Sequence, residues 1–241
     1  MWARRRWRPG RLIRLGGRPY RHVRCLKADI FAENHLLEDP EEGRLWVYKL
    51  SRPIPALAAR EKRLYRRVSG LPGVPELGPV SGEGWFLHGF VPGRTFAAHV
   101  EQCYRDKRCI SLDLVPDFYA RLEAIVRSIH ARHVIYMDLS KKANVIVTPE
   151  GAPALIDFQI SLDFPARRGP LLERLFQWLA RADLYQVAKH RRRYDPTVKK
   201  GLDPAAEKAG RDRALLHRLH GLLVRPVWHF LKRRLLPPEP A

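Results

Sequence analysis

Residues Leu45–Leu50 alternate with a period of two, so Leu45, Val47 and Lys49 share one face while Trp46, Tyr48 and Leu50 share the other. With His35–Glu38 and the turn sequence Asp39-Pro40-Glu41-Glu42-Gly43 between them, this predicts two strands joined by a tight connection. Strand character is expected from Val23 onward. Residues 1–18, rich in Arg, Trp, Gly and Pro, are expected to be irregular. The pattern becomes helical over 55–69, entered through Pro53 and Pro55 and stopped by Gly70-Leu71-Pro72-Gly73. Two more strands are expected at Pro75–Val80 and Trp85–Val91, separated by Ser81-Gly82-Glu83-Gly84. Pro92-Gly93 then punctuates the chain.

After this break the periodicity is mostly helical. Phe118, Leu122, Ile125 and Ile129 fall at i, i+4, i+7 and i+11 of a predicted helix over 117–133. Two short strands, Asn144–Thr148 and Pro153–Asp157, are joined by Pro149-Glu150-Gly151-Ala152. Residues 170–236 are expected to be helical and to end in a Leu-rich stretch (Leu215, Leu216, Leu219, Leu222, Leu223) interrupted by Pro226. Strands first and helices after indicate an α+β class. The expected division is a basic N-terminal segment over 1–22, a small antiparallel-sheet lobe over 23–91, and a helical lobe over 92–236.

The candidate chemistry lies at the open end of the second hairpin. Asn144 begins one strand and Asp157 ends the other, so an antiparallel pairing sets them side by side. Asp138 enters the same end on a loop. Two acids bracketing an apolar hairpin call for a compensating cation, because burying carboxylates is costly. Taken singly, Asp138 would be a turn cap and Asp157 a strand end. Taken together they form a set suited to a hard cation and a proton acceptor.

Tyr136-Met137-Asp138-Leu139-Ser140-Lys141-Lys142-Ala143-Asn144 and Leu155-Ile156-Asp157-Phe158-Gln159 resemble the catalytic loop and metal-binding segment of protein-kinase-like enzymes. Asp138-Leu139-Ser140 is similar to the D-L-S-x-x-N start of RIO-type kinases, and the branch that also includes bacterial lipopolysaccharide-core sugar kinases resembles this chain over roughly residues 23–195. Asp183-Leu184-Tyr185 and Lys189-His190 resemble that branch too, with no chemical role evident. The resemblance implies a minimal bilobal kinase-like fold that moves the γ-phosphoryl group of ATP, with Mg²⁺, to a hydroxyl acceptor. It implies that Asp138 accepts the acceptor's proton and that Asn144 and Asp157 hold Mg²⁺. Lys49, in Trp46-Val47-Tyr48-Lys49, would hold the α/β-phosphates, with Glu61 as its partner and Val47 against adenine. Gly89, Phe90 and Val91 would form the hinge.

The chain departs from the pattern in four places. Asn144 stands six residues after Asp138, where five is usual, and the extra residue would aim Lys141 or Lys142 at the γ-phosphate or at solvent. Lys27–Asn34 replaces a glycine-rich phosphate lid, and Gly16-Gly17 lies too early to serve as one. Met137 precedes the catalytic acid where many kinases have Arg. No A-P-E follows Asp157, so the acceptor need not be a classical peptide.

Charge changes the expected partners. Of the formal +20, residues 1–27 carry +10 and residues 188–241 carry +9, leaving +1 between them. Such ends are a solvated basic surface or a seat for anions: membrane phospholipid, glycolipid phosphate or nucleic acid. Trp2, Trp7 and Tyr20 among the N-terminal arginines suit base stacking and a membrane interface equally. Cys25, Cys103 and Cys109 lack metal or disulfide spacing and read as reduced thiols of a cytosol-like compartment. His130 and His133 have no second ligand pair. No apolar run is long enough to span a membrane. The expected location is cytoplasmic, with peripheral attachment to the inner membrane surface. Competing readings are an active phosphotransferase, a nucleotide-binding pseudokinase, and an RNA- or ribosome-associated RIO-like protein.

Overall fold

The computed structural model describes residues 7–28, 32–51 and 54–198. The extreme basic ends, the Leu-rich stretch and the lid residues 29–31 lie outside these described residues.

The first half of the chain builds a six-stranded antiparallel sheet. Its strands are β1 (Leu12–Leu15), β2 (Arg18–Ala28), β3 (Ala32–Glu38), β4 (Leu45–Ser51), β5 (Leu77–Gly82) and β6 (Trp85–Gly89). Their spatial order is β1-β2-β3-β4-β6-β5. The helix α1 (Pro55–Val68) crosses between β4 and β5, with Pro at its first turn, where no amide partner is lost.

The alternation in β4 sorts its two faces as expected. Trp46 and Tyr48 pack with Tyr20, Leu37 and Leu87 in an outer aromatic cluster. Val47 and Lys49 face the other way. On that side α1 buries Ala58, Glu61, Leu64, Tyr65 and Val68. An acid sits on the helix's buried stripe, and this requires a cation opposite it.

The sheet begins earlier than the hydrophobic pattern suggests. Residues 12–28 form β1 and β2, although irregular structure was expected as far as residue 18 and strand only from Val23. Gly16 and Gly17 both take positive φ, 55° and 83°, and close a two-residue hairpin with Leu15 opposite Arg18. Arg11 and Arg14 obscure the pattern, but Ile13 and Leu15 point at the aromatic cluster and Trp7 covers it. Arg14 alternates outward with Leu12, so it is part of the strand rhythm, and Arg11 precedes the strand.

Past Gly89 come β7 (Arg94–Thr95), α2 (Phe96–Arg105), a 3-10 turn at Ile110–Asp113 and α3 (Phe118–Ala131). Helix α2 escaped the sequence reading. Its signals are the Thr95 hydroxyl accepting the Ala98 amide at 3.1 Å and buried Phe96, His99, Val100 and Cys103 at i, i+3, i+4 and i+7. Then follow β8 (Val134–Ile135), β9 (Val145–Val147), β10 (Pro153–Leu155), β11 (Leu162–Asp163) and α4 (Pro170–Tyr194). Strands β9 and β10 form the expected hairpin, with Val145 opposite Leu155, and β7 adds to its edge. The main core joins α1, α2, α3, the hairpin and α4 across both lobes. The three cysteines are free thiols. No helix among the described residues is long and apolar enough to cross a membrane.

Candidate functional site

Lys49 projects from the inner face of β4 into a buried junction. Its Nζ donates to Glu61 Oε1 at 2.7 Å and to Asp157 Oδ1 at 2.8 Å. Lys49 and Glu61 are 6% and 2% exposed, so neither charge could stand alone. Burial works to discharge the ammonium, but the two carboxylates outweigh it and hold Lys49 above its ordinary pKa. Burial likewise opposes the charge on Asp157, and Lys49 outweighs it, holding that carboxyl below its ordinary value.

Asp157 adopts φ +65°, a left-handed conformation uncommon for a non-glycine residue. Its neighbours fix it there. The Asp157 amide donates to the Tyr65 hydroxyl at 3.3 Å, and the Phe158 amide donates to Glu61 Oε1 at 3.2 Å. Phe158 is fully buried between the rings of Tyr65 and Tyr136, at 5.0 and 5.2 Å, edge-on to both. Glu61 thus holds both the lysine and the chain that carries Asp157.

The loop before β9 gathers a second group. Asp138 Oδ2 accepts from Asn144 Nδ2 at 2.9 Å and from Lys141 Nζ at 2.6 Å. The extra residue between Asp138 and Asn144 is taken up by a 3-10 turn at Lys142–Asn144, with the Asn144 amide donating to the Lys141 carbonyl at 3.0 Å. This turn parts the two lysines: Lys141 lies on Asp138, and Lys142 lies over the Tyr194 ring at 5.4 Å. The Ile156 amide donates to the Asn144 carbonyl at 3.0 Å, so the hairpin ends meet. The two groups also share a field, because Lys141 helps lower the Asp157 pKa.

Val47 lies on the Lys49 face and pairs with His88 across β4–β6. In the expected hinge, the amides of Gly89 and Phe90 donate to the Glu76 and Leu45 carbonyls at 2.9 and 3.1 Å. Val91 is the one of the three whose amide has no backbone partner among the described residues. Lys27 and Ala28 pair with Asn34 and Glu33, so the glycine-poor lid continues the β2–β3 ladder.

Three supports had no role assigned from the sequence, although Asp183 and His190 stood in segments noted there by resemblance. Asp183, buried on α4, accepts the amides of Tyr136 at 2.8 Å and Met137 at 3.0 Å, and bonds His130 Nε2 at 3.0 Å. It holds the backbone just ahead of Asp138, where Met137 is at φ +69°. The legible signal was an acid on the buried stripe of a helix, four residues after Leu179. His190, about two turns further on, donates from Nε2 to the Leu139 carbonyl at 2.7 Å. Arg60, Arg63 and Arg67 on α1 grip the segment after Asp157: Arg60 the Gln159 carbonyl at 2.8 Å, Arg63 the Asp163 carboxylate at 3.1 Å, Arg67 the Phe164 carbonyl at 2.9 Å. His88 stacks on Tyr65 at 5.0 Å, and burial together with nearby Lys49 lowers its pKa to about 4.

His99, Cys103 and Asp113 place potential ligand atoms within 4.8 Å of one another. His99 Nε2 instead donates to the Ile110 carbonyl, while Arg94 and Arg108 occupy both oxygens of Asp113. Two guanidiniums disfavour a cation there. A separate open cavity of about 620 Å³ beside Gly93, Val115 and Thr148 lies at the turn end of the β9–β10 hairpin, opposite the end where the acids gather.

No family model matches the chain. It is 31% identical over 168 residues to a probable SapB synthase of Streptomyces coelicolor, a match covering 61% of this chain and 18% of that protein's length. In structure it is similar to the BubR1 kinase domain, with a TM-score of 0.56 and 15% identity over 76% of this chain and 65% of that one. A sheet lobe joined by a short hinge to a helical lobe, with this neighbour, shows that the chain has a protein-kinase-like fold.

Proposed function

We propose that the protein is an ATP-dependent phosphotransferase acting on a hydroxyl acceptor. The observation that carries this reading is the convergence of Lys49, Glu61 and Asp157 in one ion-paired junction, with Asp138 and Asn144 grouped beside it. A surface ion pair would not require an acid on the buried stripe of α1.

Each role follows from chemistry. Lys49 is held charged and suits the α/β-phosphates of ATP. Asp138 is acceptor-only when ionised and suits the proton of an attacking hydroxyl. Asn144 gives its amide nitrogen to Asp138, which leaves its oxygen for a hard cation, and the Asp157 carboxylate supplies a second oxygen of the kind Mg²⁺ prefers. When bound, Mg²⁺ neutralises charge on the transferring phosphoryl group. Val47 and the Val91 amide would meet the base. Lys141 now neutralises Asp138, and would turn to the γ-phosphate. The acceptor is a protein Ser/Thr or a lipopolysaccharide-type sugar, as in the RIO-type and sugar-kinase branch. The two basic ends would bring the protein to an anionic surface.

The Lys141–Asp138 contact at 2.6 Å also favours a second reading, a nucleotide-binding pseudokinase whose acid stays occupied. Transfer of label from γ-labelled ATP to protein, lipid or glycan, lost in Asp138→Asn, is the expected result. Binding of ATP without transfer to any of the three would select the pseudokinase. ATP with Mg²⁺ should raise the thermal midpoint of the wild type but not of Asp157→Ala; equal shifts would reject the metal assignment.

A further inference from the structure

Helix α4 has two unlike faces. Its inner face carries Phe176, Leu179, Ala180, Asp183, Val187 and His190, all buried. Its outer face presents Leu171, 82% exposed, and Leu175, 42% exposed, the most exposed leucines of the helical lobe among the described residues. At 3.6 residues per turn, Ala182 and Tyr185 continue the same row, each half-buried, while Trp178 packs inward on the cluster of Ile135, Phe164 and Phe176. Arg174 and Arg181 flank it, both exposed. Arg192 lies over the Tyr185 ring at 5.7 Å. The helix has only two acids. Asp183 is buried, and Glu173 is engaged by Arg168 and Gln177. The outer stripe therefore carries leucines, the Tyr185 ring and the exposed Arg174 and Arg181, and neither acid of the helix lies on it.

We infer that this stripe is an interfacial docking face for an anionic phospholipid bilayer. The cations select an anionic partner. The apolar row selects a bilayer over a nucleic acid, because leucines gain nothing from phosphate while a headgroup boundary accepts both kinds of side chain. Half-buried Tyr185 suits that depth, and Arg reaches back to phosphate along its apolar stem. From Leu171 to Tyr185 the stripe runs about 21 Å at about 1.5 Å per residue, enough to lie along a membrane surface. The same helix holds the catalytic loop from its inner side through Asp183. Docking would therefore set Asp138 at a height of about one helix diameter, roughly 10 Å, above the headgroups. This face is distinct from the basic termini and does not depend on phosphoryl transfer.

The test is flotation of the full chain with vesicles of phosphatidylglycerol and phosphatidylcholine, and with phosphatidylcholine alone. The wild type should float with the anionic vesicles only. L171S/L175S should bind about tenfold more weakly or worse, because two apolar side chains leave the interface. R174S/R181S should bind more weakly and with a shallower salt dependence. Both variants alter exposed positions and should keep the wild-type thermal midpoint; should either misfold, the other alone decides. Absence of wild-type flotation overturns the proposal. So does full binding by both variants, which would assign attachment to the basic termini. Conversion of a wild-type dimer to monomer in L171S/L175S would assign the face to a second copy. New protease cleavage within residues 199–241 of that variant would assign it to the chain's own C-terminal segment.

Discussion

Lys49 Nζ lies 2.8 Å from Asp157 Oδ1, although the two residues are 108 positions apart. One stands on a strand of the first lobe and the other follows a hairpin of the second. The ion pair therefore joins the two lobes, and its energetics report on how they are held together.

Removing one member of the buried junction should cost far more than removing two. Lys49→Met leaves Glu61 buried without its cation, and a loss of about 3–5 kcal/mol is expected in urea denaturation. The double variant Lys49→Met/Glu61→Leu should recover a substantial part of that loss while remaining inactive. A double variant no more stable than the single one would show that Glu61 is not uncompensated without Lys49.

Asp183→Asn should separate catalysis from nucleotide binding. It weakens charge-assisted bonds to the Tyr136 and Met137 amides, and a loss of about 2–3 kcal/mol in stability is expected. The displaced catalytic loop should lower kcat by about tenfold or more, because small misplacements of reacting groups are costly. Nucleotide affinity, which the proposed function assigns to Lys49 and residues 89–91, should change little. An equal loss in affinity and kcat would place Asp183 in general structural support only.

Stability should fall on acidification through His88. Its pKa in the folded protein is depressed to about 4 from an unfolded value near 6.5. The unfolded chain therefore binds the proton first. The neutral ring's contribution is complete above about pH 6.5 and is lost as pH falls toward about 4. The slope attributable to this group approaches about 1.4 kcal/mol per pH unit, or about 3 kcal/mol in all. His88→Gln should flatten the profile in that window. An unchanged slope would assign the loss to other groups.

Gly93→Ala should damage the join between the lobes. Gly93 sits at φ +128°, and a Cβ there would run into the Val147 carbonyl oxygen of β9. A loss of about 2 kcal/mol or more is expected from backbone strain and the shift of β9. Gly10→Ala, where positive φ is the sole obstacle and nothing lies within 4 Å, should cost less. Equal costs would mean that φ alone, without the close approach, sets the penalty.

Much of the fold was written in local pattern. The period of two in Leu45–Leu50 set Val47 and Lys49 on one face, and Phe118, Leu122, Ile125 and Ile129 marked the buried side of α3. Hairpin logic alone brought Asn144 and the end of β10 together. Where charged residues interleaved with apolar ones, as in β1, the pattern misled, because arginines on an outward face look like interruptions.

The sequence by itself determined which residue types were available, their order, and the two lobes that would carry them, because side-chain period and turn chemistry act over a few residues. Only the tertiary structure decided that Glu61 joins Lys49 to the Phe158 amide, that Lys141 and not Lys142 lies on Asp138, and that Asp183 holds the backbone just ahead of Asp138. Those choices depend on directions in space across long sequence separations, where desolvation and hydrogen-bond geometry act together, and no local period encodes them.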